Sequence, residues 1–309
     1  MHDITYLQAV LLGLLQGLTE FLPVSSTAHM AIAPQLLFGM RDVGSAFSAI
    51  AQLGPIVAMV IFFRKDLVRY VHGILRHPNP ATVIGMRGEG DDVDARLGWY
   101  TVIGSIPLLL FGVLLQHKVD TTFRRLDVIA VALIVLAVIL WYAERVAKQN
   151  RSLEHITFNQ SWKIGLAQVL ALVPGTSRSG VTITAGLFLG LDRESATRFS
   201  FLLSIPAIIA AGLFKLAKEM LALKHGGGHL GDILGPAVVA AVVAGVFAYV
   251  VVRWFLGFMK EHSTNVFVIY RIALGVLILV LLATHKVANK PPADTESTQT
   301  VAASATPAP

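Results

Sequence analysis

A cluster of polar residues between positions 16 and 29 interrupts an otherwise apolar stretch of the sequence. Glu20 ends a short apolar helix there, and a carboxylate at membrane depth is costly, so it is by default a functional candidate with a partner. His29 can donate or accept a proton near neutral pH. The pattern favours proton-transfer chemistry over the two simpler interpretations, a Glu that snorkels to the surface and a His that caps a helix.

Three hydroxyl residues, Ser25, Ser26 and Thr27, follow Pro23 in this cluster. Ser and Thr are good N-caps, and a capped helix start also presents free backbone N–H groups to an anion. Ser26 lies three residues before His29, so both side chains share one face of a helix that begins at this point. We therefore predict that one of these hydroxyls, best placed at Ser26, is a nucleophile activated by His29.

The second polar segment, Pro174–Thr182, contains Gly, hydroxyl residues and one Arg inside a stretch that is otherwise apolar. Glycines permit close backbone approach, and the guanidinium of Arg178 is a planar, bidentate partner for phosphate. The segment predicts a phosphate-binding loop, and the simpler alternative is a kinked helix whose Arg pairs with Glu20. The candidate phosphate ligands are Ser25, Thr27, Gly175, Thr176, Ser177, Arg178, Ser179 and Thr182.

Gln16 and Glu20 lie four residues apart and share one face of the first short helix. Oxygen-bearing side chains together with phosphate oxygens suit Mg²⁺ or Ca²⁺, although this spacing also occurs in many helices that bind no metal. We predict a divalent-cation site with Gln16 and Glu20 as its ligands.

The elements that must position these residues are membrane helices. The chain has 309 residues, of which 55% are hydrophobic and 14% charged, against about 25% charged in soluble domains. Its Lys and Arg residues lie mainly between apolar runs, where they set topology, so the net charge of +6 indicates no nucleic-acid binding. The absence of Cys excludes disulfides, Cys metal sites and Cys nucleophiles.

The apolar pattern predicts an all-α, polytopic integral membrane protein. Each polar cluster separates two short apolar helices, which is typical of a re-entrant element. We predict one transmembrane domain over residues 1–287 and a disordered tail over 288–309, whose composition cannot bury enough apolar surface to fold. The six predicted full spans, each of the length that crosses a bilayer, are about 47–63, 97–115, 127–144, 197–214, 233–256 and 266–284.

The two halves of the chain, about residues 1–150 and 151–287, share an order of features that predicts an internal repeat. The matching pairs are Gln16 with Gln168, Pro23 with Pro174, and Phe47-Ser48 with Phe199-Ser200. Three spans per half make the repeat inverted, and inverted repeats with broken helices place their polar site near the membrane midplane.

The two motifs, Gln16-Gly-Leu-Thr-Glu-Phe-Leu-Pro-Val-Ser-Ser-Thr-Ala-His29 and Pro174-Gly-Thr-Ser-Arg-Ser-Gly-Val-Thr182, resemble the bacterial undecaprenyl-pyrophosphate phosphatase family of the bacitracin-resistance type. The similarity covers roughly residues 3–285. It implies hydrolysis of undecaprenyl (C55) diphosphate to the monophosphate and inorganic phosphate, which recycles the lipid carrier of peptidoglycan synthesis. It also implies resistance to bacitracin, which sequesters the same substrate, in an inner-membrane homodimer whose site faces the periplasm and depends on a divalent metal.

Carried onto this chain, the family's acidic motif falls on Gln16 and Glu20, its serine and histidine on Ser26 and His29, and its phosphate-binding arginine on Arg178. Many members have Glu where this chain has Gln16, so two carboxylates on one metal cannot be the mechanism here. The nucleophile stays open among Ser26, His29 and water. A prenyl-phosphate flippase that uses the same pocket is the alternative function.

Overall fold

The computed structural model describes residues 4–40, 43, 45–85, 92–115, 118–119, 122–224 and 230–289. Within these ranges the chain is helical and forms no β-strand, which confirms the all-α prediction. The helices of the first half are α1 (Tyr6–Thr19), α2 (Ser26–Phe38), α3 (Ser45–Ala51), α4 (Leu53–Phe62), α5 (Arg64–Arg76), α6 (Pro80–Ile84), α7 (Val93–Leu114) and α8 (Leu126–Val146). Those of the second half are α9 (Phe158–Gln168), α10 (Arg178–Phe188), α11 (Arg193–Lys224), α12 (Leu230–Glu261) and α13 (Asn265–Ala283).

Several helices have the length and composition of membrane spans, which confirms a multi-spanning protein. Among the described residues five helices qualify, namely α7, α8, α13, the Arg193–Phe214 part of α11 and the Leu234–Glu261 part of α12. A sixth crossing requires that Phe47–Phe62 and Arg64–Arg76, which are bent by 72°, count as one unit. The predicted span at 47–63 is too short alone, because the apolar run gives way to the charged start of α5.

The short helices around the two polar clusters are present. A capping box between Thr5 and Gln8 begins α1, and an equivalent box between Thr157 and Gln160 begins α9. The chain then leaves the helical path over residues 20–25 and, after a 3₁₀ turn at Val169–Leu172, over residues 173–177. Most of the predicted tail (290–309) and part of the charged loop (86–91) lie outside the described residues.

Helix α12 packs closely against α1, which ends at the first break, and against α4, which lies further along the chain. A Cβ atom on Gly13 would lie 2.5 Å from the carbonyl oxygen of Ala240, and one on Gly54 would lie 1.8 Å from that of Ala241. Small residues allow such backbone approach between membrane helices, where van der Waals packing drives association. These glycines therefore let α1 and α4 both pack directly on α12.

Aromatic side chains fill the core beside the first break. Phe21 packs edge-on against Phe201 of α11, with ring centroids 5.6 Å apart. Phe63 and Phe255 also contact Phe201, at 6.4 and 6.0 Å, and all four rings are buried. Edge-to-face pairs of this kind contribute about 0.5–1.5 kcal/mol beyond burial, so they tie the first break to the second half.

We expect Gly54→Ala to destabilise the protein by about 1–3 kcal/mol, because the new methyl group overpacks the contact with Ala241. The matched control is Gly257→Ala in α12, where a Cβ atom meets nothing within 4 Å. Thermal unfolding in detergent measures both. Equal unfolding temperatures for the two variants would contradict the close approach of α4 and α12.

Candidate active site

Both helix breaks end at a serine with a left-handed backbone. Ser25 has φ 71° and Ser177 has φ 65°, values that non-glycine residues seldom adopt. The Ser25 hydroxyl accepts a hydrogen bond from the Ala28 N–H at 3.4 Å, and the Ser177 hydroxyl accepts one from the Gly180 N–H at 3.2 Å. The two serines thus cap α2 and α10 in the same way. Such backbone strain persists only when surrounding contacts hold it.

The two breaks touch each other through side chains and backbone. The Gly175 N–H donates to the Thr27 hydroxyl at 3.2 Å. In the opposite direction, the Ser179 hydroxyl donates to the carbonyl oxygen of Leu22 at 3.0 Å. The starts of α2 and α10 therefore lie against each other, and the first N–H groups of each helix have no partner within their own helix.

Glu20 lies between the breaks and uses both carboxylate oxygens. Its Oε1 accepts a hydrogen bond from Nη2 of Arg178 at 2.7 Å. Its Oε2 accepts one from the Gln16 amide at 2.9 Å and one from the Ser26 hydroxyl at 2.7 Å. The Glu20 side chain is 5% exposed and that of Arg178 is 19% exposed, so loss of either partner leaves a poorly solvated charge.

His29 contacts neither Glu20 nor Ser26 by any hydrogen bond within the described residues. Its Nδ1 lies 2.8 Å from the carbonyl oxygen of Ser25, which can only accept, so Nδ1 carries a proton. Its Nε2 lies 2.6 Å from the hydroxyl of Tyr270, and the two rings stack at 5.7 Å. The predicted contact between Ser26 and His29 is absent from this arrangement, in which Glu20 receives the Ser26 hydroxyl instead.

Arg271 supports both breaks from α13, although the sequence analysis left it out of the site. It is fully buried. One of its nitrogens donates to the carbonyl oxygens of Thr176 and Gly175, at 2.8 and 3.3 Å, and another donates to that of Pro23 at 3.4 Å. In the described part of the chain no carboxylate lies within 4 Å of it. The one signal in the sequence was a charged residue inside a membrane span.

Several predicted phosphate ligands use their hydroxyls to shape the second break. Thr182 is buried and bonds to the carbonyl oxygen of Arg178 and to the Ser200 hydroxyl, at 2.8 and 2.6 Å. Thr176 donates to the Val173 carbonyl at 2.8 Å. A Cβ atom on Gly180 would lie 2.5 Å from Nη1 of Arg271, so a side chain there would require the guanidinium to shift.

The site offers few ligands to a divalent cation. Within the described residues no group of three or more His, Cys, Asp or Glu side chains is placed to hold a metal ion. Both oxygens of Glu20 already accept hydrogen bonds, one of them from a guanidinium. A cation at Gln16 and Glu20 thus fits only when Arg178 moves to another anion and phosphate oxygens complete the shell, as is common for Mg²⁺.

We expect Arg271→Met to destabilise the protein by about 3 kcal/mol or more, since it leaves carbonyls in both breaks without a donor and each unsatisfied buried group costs about 1–3 kcal/mol. Arg253→Met in α12, which replaces an exposed Arg, is the control. Thermal unfolding in detergent compares them. An Arg271→Met protein as stable as Arg253→Met would show that the breaks hold their shape without this guanidinium.

Comparison with known proteins agrees with the motifs. The family described as "Bacitracin resistance protein BacA" matches residues 9–277. A protein of Chloroherpeton thalassium named undecaprenyl-diphosphatase is 45% identical over 91% of this chain and 98% of its own length. Proteins of the same name from Renibacterium salmoninarum and Mycolicibacterium smegmatis are 46% and 45% identical, over 90% and 91% of this chain and 96% and 98% of their own lengths. The chain therefore belongs to the bacitracin resistance protein BacA family.

Proposed function

We propose that the chain is an undecaprenyl-diphosphatase, which hydrolyses the C55 diphosphate to the monophosphate and inorganic phosphate. The names of its relatives support this substrate. The observation that carries the chemistry is the position of Glu20, whose carboxylate contacts a hydroxyl at one break and a guanidinium at the other. The Ser26 hydroxyl as nucleophile, the Glu20 carboxylate as proton acceptor and the Arg178 guanidinium as phosphate-binding group therefore meet at one place.

Substrate binding begins with an exchange of partners at Arg178. The terminal phosphate takes the guanidinium from Glu20, since a bidentate contact with phosphate is strong and geometrically specific. The N–H groups at the start of α10 and the positive end of that helix add to the attraction. In this proposal the hydroxyls of Ser177, Ser179, Thr176 and Thr182 shape the loop, while Arg178 and the backbone N–H groups at the start of α10 bind the anion.

Catalysis then uses the contact between Ser26 and Glu20. The Ser26 hydroxyl attacks the outer phosphorus and gives its proton to Glu20, while the bond to the bridging oxygen breaks and prenyl monophosphate leaves with the electron pair. Water then gives a proton to His29 and attacks the phosphoserine. The Ser26 oxygen leaves with the proton held by Glu20, inorganic phosphate is released, and His29 afterwards gives its proton to solvent. Phosphoryl transfer of this kind depends mainly on positioning and on electrostatic stabilisation. Direct attack by water with Glu20 as the base is the runner-up.

A divalent cation remains part of the proposal. Gln16 and Glu20 would hold it once Arg178 has moved to the phosphate, with Ser25 and Thr27 bordering the same space. The ion, Mg²⁺ or Ca²⁺, would offset negative charge on the transferred phosphoryl group.

We further propose six spans and two re-entrant elements related by an inverted repeat. Three pairs of equivalent features are separated by the same 152 residues, namely the caps Thr5 and Thr157 (157 − 5), the amides Gln16 and Gln168 (168 − 16), and the left-handed Ser25 and Ser177 (177 − 25). A constant spacing over residues of matching structural role supports a duplicated unit.

The cellular role that fits this activity is the recycling of the peptidoglycan lipid carrier. We place the protein as a homodimer in the bacterial inner membrane, with a site open to the periplasm. Removal of the diphosphate would deprive bacitracin of its target and confer resistance.

Replacement of Ser26 by Ala removes the nucleophile, so we expect kcat to fall by about 100-fold or more. Phosphate release from a C55 or C15 prenyl diphosphate by purified protein measures it. The control is Ser204→Ala, whose hydroxyl only donates to the Phe201 carbonyl within α11. Near-normal turnover in Ser26→Ala would exclude the serine mechanism and favour water.

Chelation tests the metal. We expect EDTA to abolish phosphate release and Mg²⁺ or Ca²⁺ to restore it, because Arg178 alone cannot offset the negative charge that the diphosphate and Glu20 bring together. Full turnover in EDTA would remove the cation from the mechanism. No release by folded protein under any condition would favour the flippase alternative, which a lipid-translocation assay would then examine.

A further inference from the structure

We infer that Tyr270 is a positioning residue that orients His29 and supplies the hydroxyl through which His29 exchanges its proton. The inference rests on the proposed function. Neither motif of the sequence contains Tyr270, which lies in α13, 241 residues from His29.

The two nitrogens of His29 have separate tasks. Nδ1 is committed to the Ser25 carbonyl at 2.8 Å, a bond that also holds the left-handed serine at the start of α2. A proton can therefore enter or leave the ring only at Nε2. That atom lies 2.6 Å from the Tyr270 hydroxyl, so the tyrosine occupies the only exchangeable position.

The surroundings support a relay through the tyrosine. His29 is 7% exposed, whereas Tyr270 is 45% exposed. A tyrosine hydroxyl donates and accepts at once, so it can give its proton to Nε2 while it takes another from a neighbour, with no net change in its own charge. The buried imidazole can thus exchange a proton through the hydroxyl without leaving its place.

The position of Tyr270 is itself fixed by the next residue of α13. Arg271 bonds to the Thr176 and Pro23 carbonyls and so sets α13 against both breaks. The phenol ring of Tyr270 lies parallel to the imidazole, with 10° between the ring planes. The hydroxyl therefore meets Nε2 in a defined geometry, as a positioning role requires.

Tyr270→Phe keeps the stacked ring and removes only the hydroxyl. We expect kcat for phosphate release to fall by about tenfold while KM stays within about twofold, because the lost group acts on proton transfer and does not bind substrate. The control is Tyr142→Phe in α8, since within the described residues the Tyr142 ring packs on Phe188 and its hydroxyl forms no hydrogen bond.

A double-mutant cycle with His29→Ala decides whether the tyrosine acts through the histidine. If it does, the double variant is as active as His29→Ala alone, within about twofold. Multiplied losses in the double variant, or wild-type kcat in Tyr270→Phe, would overturn the inference. Absence of turnover in the wild-type protein would instead refute the proposed function, so the two failures are distinct.

Discussion

The structure depends on one buried cation, Arg271, whose hydrogen bonds within the described residues all go to carbonyl oxygens. Arg271 is enclosed by protein and bonds to backbone of both breaks. Burial of an unpaired charge is expensive, and charge-assisted hydrogen bonds to several carbonyls offset that cost only if all of them converge. The guanidinium therefore requires the two breaks to approach each other. Gly180 fits this arrangement, since a Cβ atom there would lie 2.5 Å from Nη1 of Arg271.

The two halves of the chain share one backbone arrangement at the site but contribute different functional groups to it. At the spacing of 152 residues, Ser26 corresponds to Arg178, Glu20 to Leu172 and His29 to Val181. The first half supplies the carboxylate, hydroxyl and imidazole, and the second supplies the cation. Gln168 retains the amide of its counterpart Gln16, but with no carboxylate four residues later its side chain is buried and has no hydrogen-bond partner among the described residues.

Local features of the fold were predictable because they depend on neighbouring residues. The positions of both breaks and of the short helices around them follow from Pro, Gly and hydroxyl residues at short range. The pairing of Glu20 with Arg178 was predictable as well, as the alternative to phosphate binding, whereas the proposed mechanism uses the two in succession. The contacts from α13 were not predictable, because Tyr270 and Arg271 meet the breaks only after the whole bundle has packed.

The hydrogen bond from Ser26 to Glu20 was missed for a different reason. Helical periodicity favoured His29 as the partner of Ser26, whereas the non-helical backbone between residues 20 and 25 turns the hydroxyl toward the carboxylate.

The carboxylate of Glu20 competes with any incoming anion for Arg178, because the two residues already form an ion pair. Any anion that approaches Arg178 must displace a carboxylate that belongs to the same molecule and is held at contact distance, which corresponds to a very high effective concentration. A headgroup with a single negative charge gains little from that exchange. A terminal phosphate with several charged oxygens gains more, because it can occupy the guanidinium and the helix start together. Under the proposed mechanism, the pair acts as a threshold against singly charged phosphodiester lipids of the bilayer and favours the more highly charged diphosphate.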